Sequence, residues 1–189
     1  METGEFVPFG ANLGIWRVID ASANRAGEAL RVLEDAVRFV LDDARLTAVA
    51  KDLRHTLATL LAHDALRERS AARDVGGDVG IGVEAVTTLP RSTPADLVAA
   101  NAARAAQALR SLAECAAVVA PQAALGFEQL RYRLYDLERG ALAVARARDR
   151  LAGIDLCVLV DGRADLVAFE RLVERLLAAG VRMLQVREK

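Results

Sequence analysis

The chain is short of the residues on which nucleophilic and metal chemistry usually rest. Two histidines, His55 and His63, and two cysteines, Cys115 and Cys157, stand among 189 residues. No Cys/His spacing suggests zinc. Each cysteine lies inside an apolar run, which predicts buried, reduced thiols rather than a disulfide framework. Aromatic residues make up 4% and prolines number four. No run is long and apolar enough to span a membrane, and the opening METGEFVPFGANLG has neither the charged nor the apolar region of a signal peptide. These absences predict a cytoplasmic enzyme or scaffold. Charge of one sign is lacking too: the formal net charge is −1, so the overall field gives no reason to expect nucleic acid or an anionic membrane as partner.

Lysine occurs only at positions 51 and 189, so almost all positive charge is arginine. A general arginine bias accounts for that. A sharper reading is that some guanidiniums hold phosphate, to which their planar fork is suited. Hydrophobic content is 53%, rich in Ala, Leu and Val, a palette that favours helices.

Periodicity predicts four helices. The first runs from about Ala21 to Leu41, capped by Asp20, with Ala26, Leu30, Leu33, Val37 and Leu41 recurring at three and four. The second runs from about Ala44 to Arg69, capped by Asp42 or Asp43, with Leu46, Val49, Leu53, Leu57 and Leu60 as its stripe. Residues 70–94 form the longest irregular stretch, with four glycines and two prolines. Thr93 and Pro94 then open a third helix from about Ala95 to Val119, and a fourth spans about Gln122 to Arg148. The first and third share a pattern: NRAGEALRVLED at 24–35 matches ARAAQALRSLAE at 103–114, an offset of 79, and DLRHTL at 52–57 matches QLRYRL at 129–134, an offset of 77. Arg25 thus aligns with Arg104, Glu28 with Gln107, Arg31 with Arg110, and Arg54 with Arg131. Two similar hairpins, neither able to bury its apolar face alone, predict a mainly α bundle with pseudo-twofold symmetry. After Gly153 the texture changes to strand, helix, strand over about 35 residues, a βαβ unit with one apolar face and both sheet edges open. That unit is expected to pack on the helices or to pair with a second copy in a homodimer.

Two groups of residues could carry chemistry. Arg25, Glu28, Arg31, Glu34 and Arg38 form a polar ridge on the first helix. Such a ridge is commonly a solvated, salt-bridged face. The recurrence of the arginines in the second hairpin, and the mid-helix Arg54 and His55 on a neighbouring segment, favour an anion cleft. The second group is the loop ARDVGGDVGIG, residues 72–82. Its glycines permit positive φ and close approach to a ligand, its N–H groups could cradle phosphate, and Asp74 and Asp78 could hold Mg²⁺ or orient a nucleophile. The plain alternative is a flexible connector. No P-loop motif is present.

RVIDASANRAGEALRVLEDAVRF, DLRH, RDVGGDVG and LRYRLYDLE resemble the helical domain fused in front of bacterial thiamine phosphate synthases. LCVLVDGR followed by AGVRMLQVREK resembles the first strand, helix and second strand of that synthase's (β/α)₈ barrel. The resemblance implies three segments: an N-terminal extension (1–14), a helical domain (15–150) and an incomplete barrel start (151–189). It implies that the helical domain phosphorylates hydroxymethylpyrimidine phosphate to the diphosphate with ATP and Mg²⁺, and that Gln185, Arg187 and Lys189 contact the pyrimidine diphosphate in the barrel. Six of eight βα units are missing by that scheme, so synthase activity is not expected of these residues alone. Position 22 is Ser where the family often has Asn, and Glu34 aligns with Ala113, so any site is expected to be single and asymmetric. In this reading Arg25, Arg31, Arg54, Arg104 and Arg131 bind phosphates with Glu28, His55, Arg73, Gly77 and Gly80. Asp74 and Asp78 are catalytic, and Asp78 holds the metal. The partners are a pyrimidine phosphate and a nucleotide. The rival reading is a non-catalytic interaction or dimerisation domain.

Overall fold

A computed structural model describes residues 12–80, 90–161 and 165–187. The chain divides into two compact units, residues 1–146 and 147–189. The first is helical. Helix α1 spans Leu13–Asp35 and continues into a π-helical turn, Ala36–Val40. Helix α2 spans Ala44–Leu61, a 3₁₀ segment Asp64–Ala72, α3 Pro94–Val119 and α4 Pro121–Leu151.

The start of α1 departs from expectation. Asp20 is not a cap but lies inside the helix and is buried at 4% exposure. Its carboxylate is taken up by an arginine from another segment, which is why a charge is tolerated there. The expected single second helix is also broken. It ends at Leu61, and the His63 imidazole caps the 3₁₀ segment through the Ala65 N–H. Arg69 donates to the Leu61 and Leu66 carbonyls, satisfying acceptors at that break. Asp43, not Asp42, caps α2, accepting from the Leu46 N–H at 2.8 Å. Asp42 adopts φ +47°, a left-handed conformation that Asp tolerates better than most residues. The buried stripe of α2 is Leu46, Ala50, Leu53, Leu57 and Leu61, slightly rotated from the expected one because Ala50 faces the core and Val49 does not.

The bundle core runs through all four helices. Ile19, Leu30, Leu33, Leu53, Leu109, Leu112, Phe127 and Leu134 are essentially inaccessible. Helix α1 packs most extensively on α3. Small residues at the buried positions of both, Ala26 and Ala29 on α1 and Ala102, Ala105 and Ala108 on α3, allow two backbones to approach closely. Helix α4 comes close to α2 where it carries glycine: a Cβ on Gly126 would stand 2.5 Å from Leu60 Cδ2. Arg133 on α4 also pairs with Asp52 on α2. Helix α3 opens with Pro94 and a full capping box, in which the Thr93 hydroxyl accepts from the Asp96 N–H while the Asp96 carboxylate accepts from the Thr93 N–H.

The second unit has β1 (Cys157–Asp161), α5 (Leu166–Ala178) and β2 (Met183–Arg187). The strands pair in parallel, Cys157 opposite Met183 through Asp161 opposite Arg187. Asp165 caps α5 and Gly180 follows its end at φ +87°. No α5 residue is buried, and Leu159, Leu166 and Val186 are each more than half exposed. Cys115 and Cys157 are free thiols, as expected, though only partly buried. Burial pushes the Cys115 thiol pKa up. No helix among the described residues is long and apolar enough to cross a membrane.

Candidate functional site

Helix α1 carries two buried carboxylates, Asp20 at 4% and Glu34 at 6% exposure, and each holds an arginine from elsewhere. Arg73, at the end of the 3₁₀ segment, grips Asp20 with two nitrogens: Nε to Oδ2 at 2.7 Å and Nη2 to Oδ1 at 3.0 Å. This fork geometry ties the start of the glycine loop to α1. Arg17 adds a second tie, donating from Nη2 to the Asp74 carbonyl at 3.1 Å. On α2, Arg54 donates from Nε to Glu34 Oε2 at 2.5 Å. Hydrogen bonding and the charge of Arg54 hold the Glu34 carboxyl below its ordinary value, against the opposing effect of burial; Arg31 and Lys51 add to the lowering.

The tied loop turns on its own aspartates. Asp74 Oδ1 accepts from the Gly77 N–H at 2.9 Å, and Asp78 Oδ1 accepts from the Gly80 N–H at 2.9 Å. These are local turns of the kind Asp favours. Gly76, Gly77 and Gly80 do not use the left-handed region that the lack of a Cβ permits them. Gly77 matters in a different way: a Cβ there would meet the Asp74 carboxylate that caps it, which would have to shift. Gly82 lies outside the described residues.

Between α1 and this loop lies a groove of about 570 Å³, bordered by Arg17, Asn24, Arg25, Asp74, Gly77 and Asp78. Arg25 has no ion-pair partner among the described residues and reaches this groove as an exposed side chain. A second groove, about 350 Å³, lies along the next turns of α1 against α2 and includes Arg31 and Arg54. The expected single cleft of converging arginines is therefore two grooves. Arg25 and Arg73 border the first and Arg31 and Arg54 the second.

The remaining expected residues are dispersed. Glu28, His55 and Arg104 are exposed on their helices and border neither groove. Arg131 is mostly covered on α4, near the rings of Tyr132 and Tyr135 and bonded weakly to the Tyr135 hydroxyl. Arg31 and Arg110, aligned in the repeat, each form an exposed i,i+4 pair, with Asp35 and Glu114. Ser22 and Asn101, also aligned, are both buried. Gln185 and Arg187 lie exposed two apart on β2 and so project to one side of the strand, while Lys189 lies outside the described residues. Among the described residues no three His, Cys, Asp or Glu side chains assemble as a metal-binding group. A Mg²⁺ ion that takes most of its ligands from phosphate and water needs only one or two carboxylates. Asp74 and Asp78 fit that lesser demand, each with one oxygen committed to a loop N–H.

Asp20 and Glu34 are the site residues whose burial the sequence did not reveal, one being expected as a cap and the other on a polar ridge beside the apolar stripe. Their spacing carried a signal. Asp20, Gly27 and Glu34 recur every seven residues beside the apolar stripe, where a lone carboxylate needs a partner.

The ThiD2 family matches residues 17–140 of the chain. The chain is 38% identical to a thiamine-phosphate synthase of Prochlorococcus marinus (strain MIT 9313), over all of this chain and 54% of that protein. It is 40% identical to one of Synechococcus sp. (strain CC9605), over 92% of this chain and 48% of the relative. A thiamine-phosphate synthase of Rhodopirellula baltica is 34% identical, over 92% and 48%. The chain spans about half the length of these curated relatives. No solved structure matches it.

Proposed function

The chain belongs to the ThiD2 family, and from that premise we propose that its helical unit phosphorylates hydroxymethylpyrimidine phosphate to the diphosphate with ATP and Mg²⁺, as a step of thiamine synthesis. The likeness of residues 147–189 and of the whole chain to thiamine-phosphate synthases fits a longer protein that then consumes the diphosphate. The observation that carries the kinase reading is the Asp20–Arg73 fork. It fixes a loop of glycines and aspartates against α1, beside Arg25, which has no ion-pair partner among the described residues.

The work of these residues is positioning. Both reacting groups are phosphate anions, so the difficulty lies in bringing like charges together more than in removing a proton. Arg25 supplies positive charge within the loop groove. The loop N–H groups beyond those engaged by Asp74 and Asp78 can donate to phosphate oxygens. Mg²⁺, held by Asp74 or Asp78, would neutralise charge on the phosphates. Arg73 acts through Asp20 as the anchor of the loop rather than as a phosphate ligand.

A second reading is favoured by the exposed i,i+4 pairs of Arg31 and Arg110. In it the helical unit is a non-catalytic interaction or dimerisation module of a thiamine-phosphate synthase, and these arginines serve a solvated surface. A coupled assay with ATP, Mg²⁺ and hydroxymethylpyrimidine phosphate separates the two. The kinase reading expects diphosphate formation and a thermal shift with either substrate; a folded protein that shows neither supports the module.

A further inference from the structure

The second groove on α1 is built differently from the first. Ala23, Gly27 and Ala58 line it with Leu57 and Leu61, together with Arg31 and Arg54. A Cβ placed on Gly27 would meet nothing within 4 Å, so the space over this helix turn is open. Arg54 is not a loose surface side chain. Glu34, nearly fully buried, takes its Nε, which leaves the two Nη nitrogens as the donors available to a ligand. Arg31, Lys51 and Arg54 all act on the buried carboxylate of Glu34, and Arg31 also pairs with Asp35 at 3.5 Å.

We propose that this groove, lined by Ala23, Gly27, Arg31, Arg54, Leu57 and Ala58, binds the heteroaromatic ring of the phosphate acceptor, with the two guanidiniums on its anionic substituent or over its π face. The identity of the ligand rests on the kinase reading; the site rests on the groove. A lining with no side chain larger than a methyl at Ala23, Gly27 and Ala58 leaves room for a planar ring. Guanidiniums both stack on such rings and pair bidentately with phosphate. Size divides the labour between the grooves. About 350 Å³ is at the small end for small-molecule sites, roughly 300–1,000 Å³, and suits one ring with one phosphate. The larger loop groove suits a nucleoside triphosphate. Both grooves border α1, the first at residues up to Arg25 and the second at Ala23, Gly27 and Arg31, so one helix contributes to the two of them.

Gly27→Leu tests the assignment, because the side chain grows into open space and leucine favours helix over glycine. The variant is expected to stay folded, with an unchanged or raised melting temperature. The KM for hydroxymethylpyrimidine phosphate should rise tenfold or more while the KM for ATP stays within about twofold. Backbone amide shifts of the wild-type chain on adding hydroxymethylpyrimidine phosphate should centre on Ala23, Gly27, Leu57 and Ala58. A folded Gly27→Leu protein with unchanged KM, or shifts confined to residues 74–80, overturns the assignment and leaves the kinase reading standing. Shifts in the groove without any turnover support the ring site and overturn the kinase. No binding in either groove overturns both.

Discussion

Arg54 Nε lies 2.5 Å from Glu34 Oε2, and this pair joins α2 to α1 as Arg73 and Asp20 join the glycine loop to α1. One helix thus carries both attachments, fourteen residues apart in sequence, or about 21 Å along its axis. The two pairs differ in consequence, because one braces helix against helix and the other holds a loop.

Removing the helix brace should destabilise the fold. Arg54→Leu leaves the Glu34 carboxylate buried and unpaired. Stripping one partner from a fully buried pair costs about 3–5 kcal/mol; Arg54 is 31% exposed at its side chain, so about 2 kcal/mol is expected. Urea unfolding measures it, and a loss under about 0.5 kcal/mol would show that the pair is ornamental.

Removing the loop anchor should act locally. Arg73→Gln, which keeps a neutral donor for the buried Asp20 carboxylate, is expected to speed amide exchange and proteolysis across residues 74–80 more than in the buried turns of α3 and, on the kinase reading, to lower pyrimidine diphosphate formation at least tenfold. Equal protection of the loop in variant and wild type would rule out the anchoring role.

Gly77→Ala addresses the turn itself. The new methyl collides with the Asp74 carboxylate, so the turn must open or the carboxylate must leave the Gly77 N–H. On the kinase reading the expected result is a tenfold or larger fall in kcat, with a melting temperature within about 2 °C of wild type, since the loop is exposed and outside the core.

Acid should weaken the helical unit in a predictable direction. Glu34 titrates below its ordinary 4.5 in the folded chain because Arg54 bonds its charged form. Asp96 titrates below its ordinary 3.8 because Thr93 and the Ser92 and Thr93 N–H groups bond to it. A depressed folded value means that the unfolded chain binds more protons over that window. The stability these groups add is complete above about pH 5 and is lost as pH falls through the folded values. Melting temperature should therefore decline below pH 4.5, and Glu34→Gln should flatten that decline while lowering the plateau near pH 7. A decline of equal steepness in Glu34→Gln would assign the acid lability elsewhere.

In the core, Leu109→Ala removes a fully buried side chain and should cost about 2–5 kcal/mol. The same change at Leu125, 62% exposed, should cost under about 1 kcal/mol.

The helices were legible in the chain because apolar residues recur at three and four, and α3 in particular because Thr93, Pro94 and Asp96 announce its start. The parallel βαβ was legible because Gly180 separates an amphipathic stretch from a β-branched one. The break after Leu61 was not: its causes are a histidine cap and an arginine on two carbonyls, neither of which alters hydrophobic period. The site was half legible. The loop and the arginines were found as residue types, but their division into two grooves depends on which side of α1 each neighbour occupies. Asp20 and Glu34 were misplaced because a charged residue beside an apolar stripe reads as surface until a partner from another segment is seen.

The capping box at Thr93 has a consequence for how such chains can change over time. Thr93 and Asp96 satisfy each other's backbone donors and Pro94 presets the first turn, so α3 takes its starting point from these residues themselves. Insertions or deletions upstream of Ser92 would leave Ala102, Ala105 and Ala108 at the same heights in the bundle. The connecting segment is thus free to drift in length while the helix after it keeps its phase.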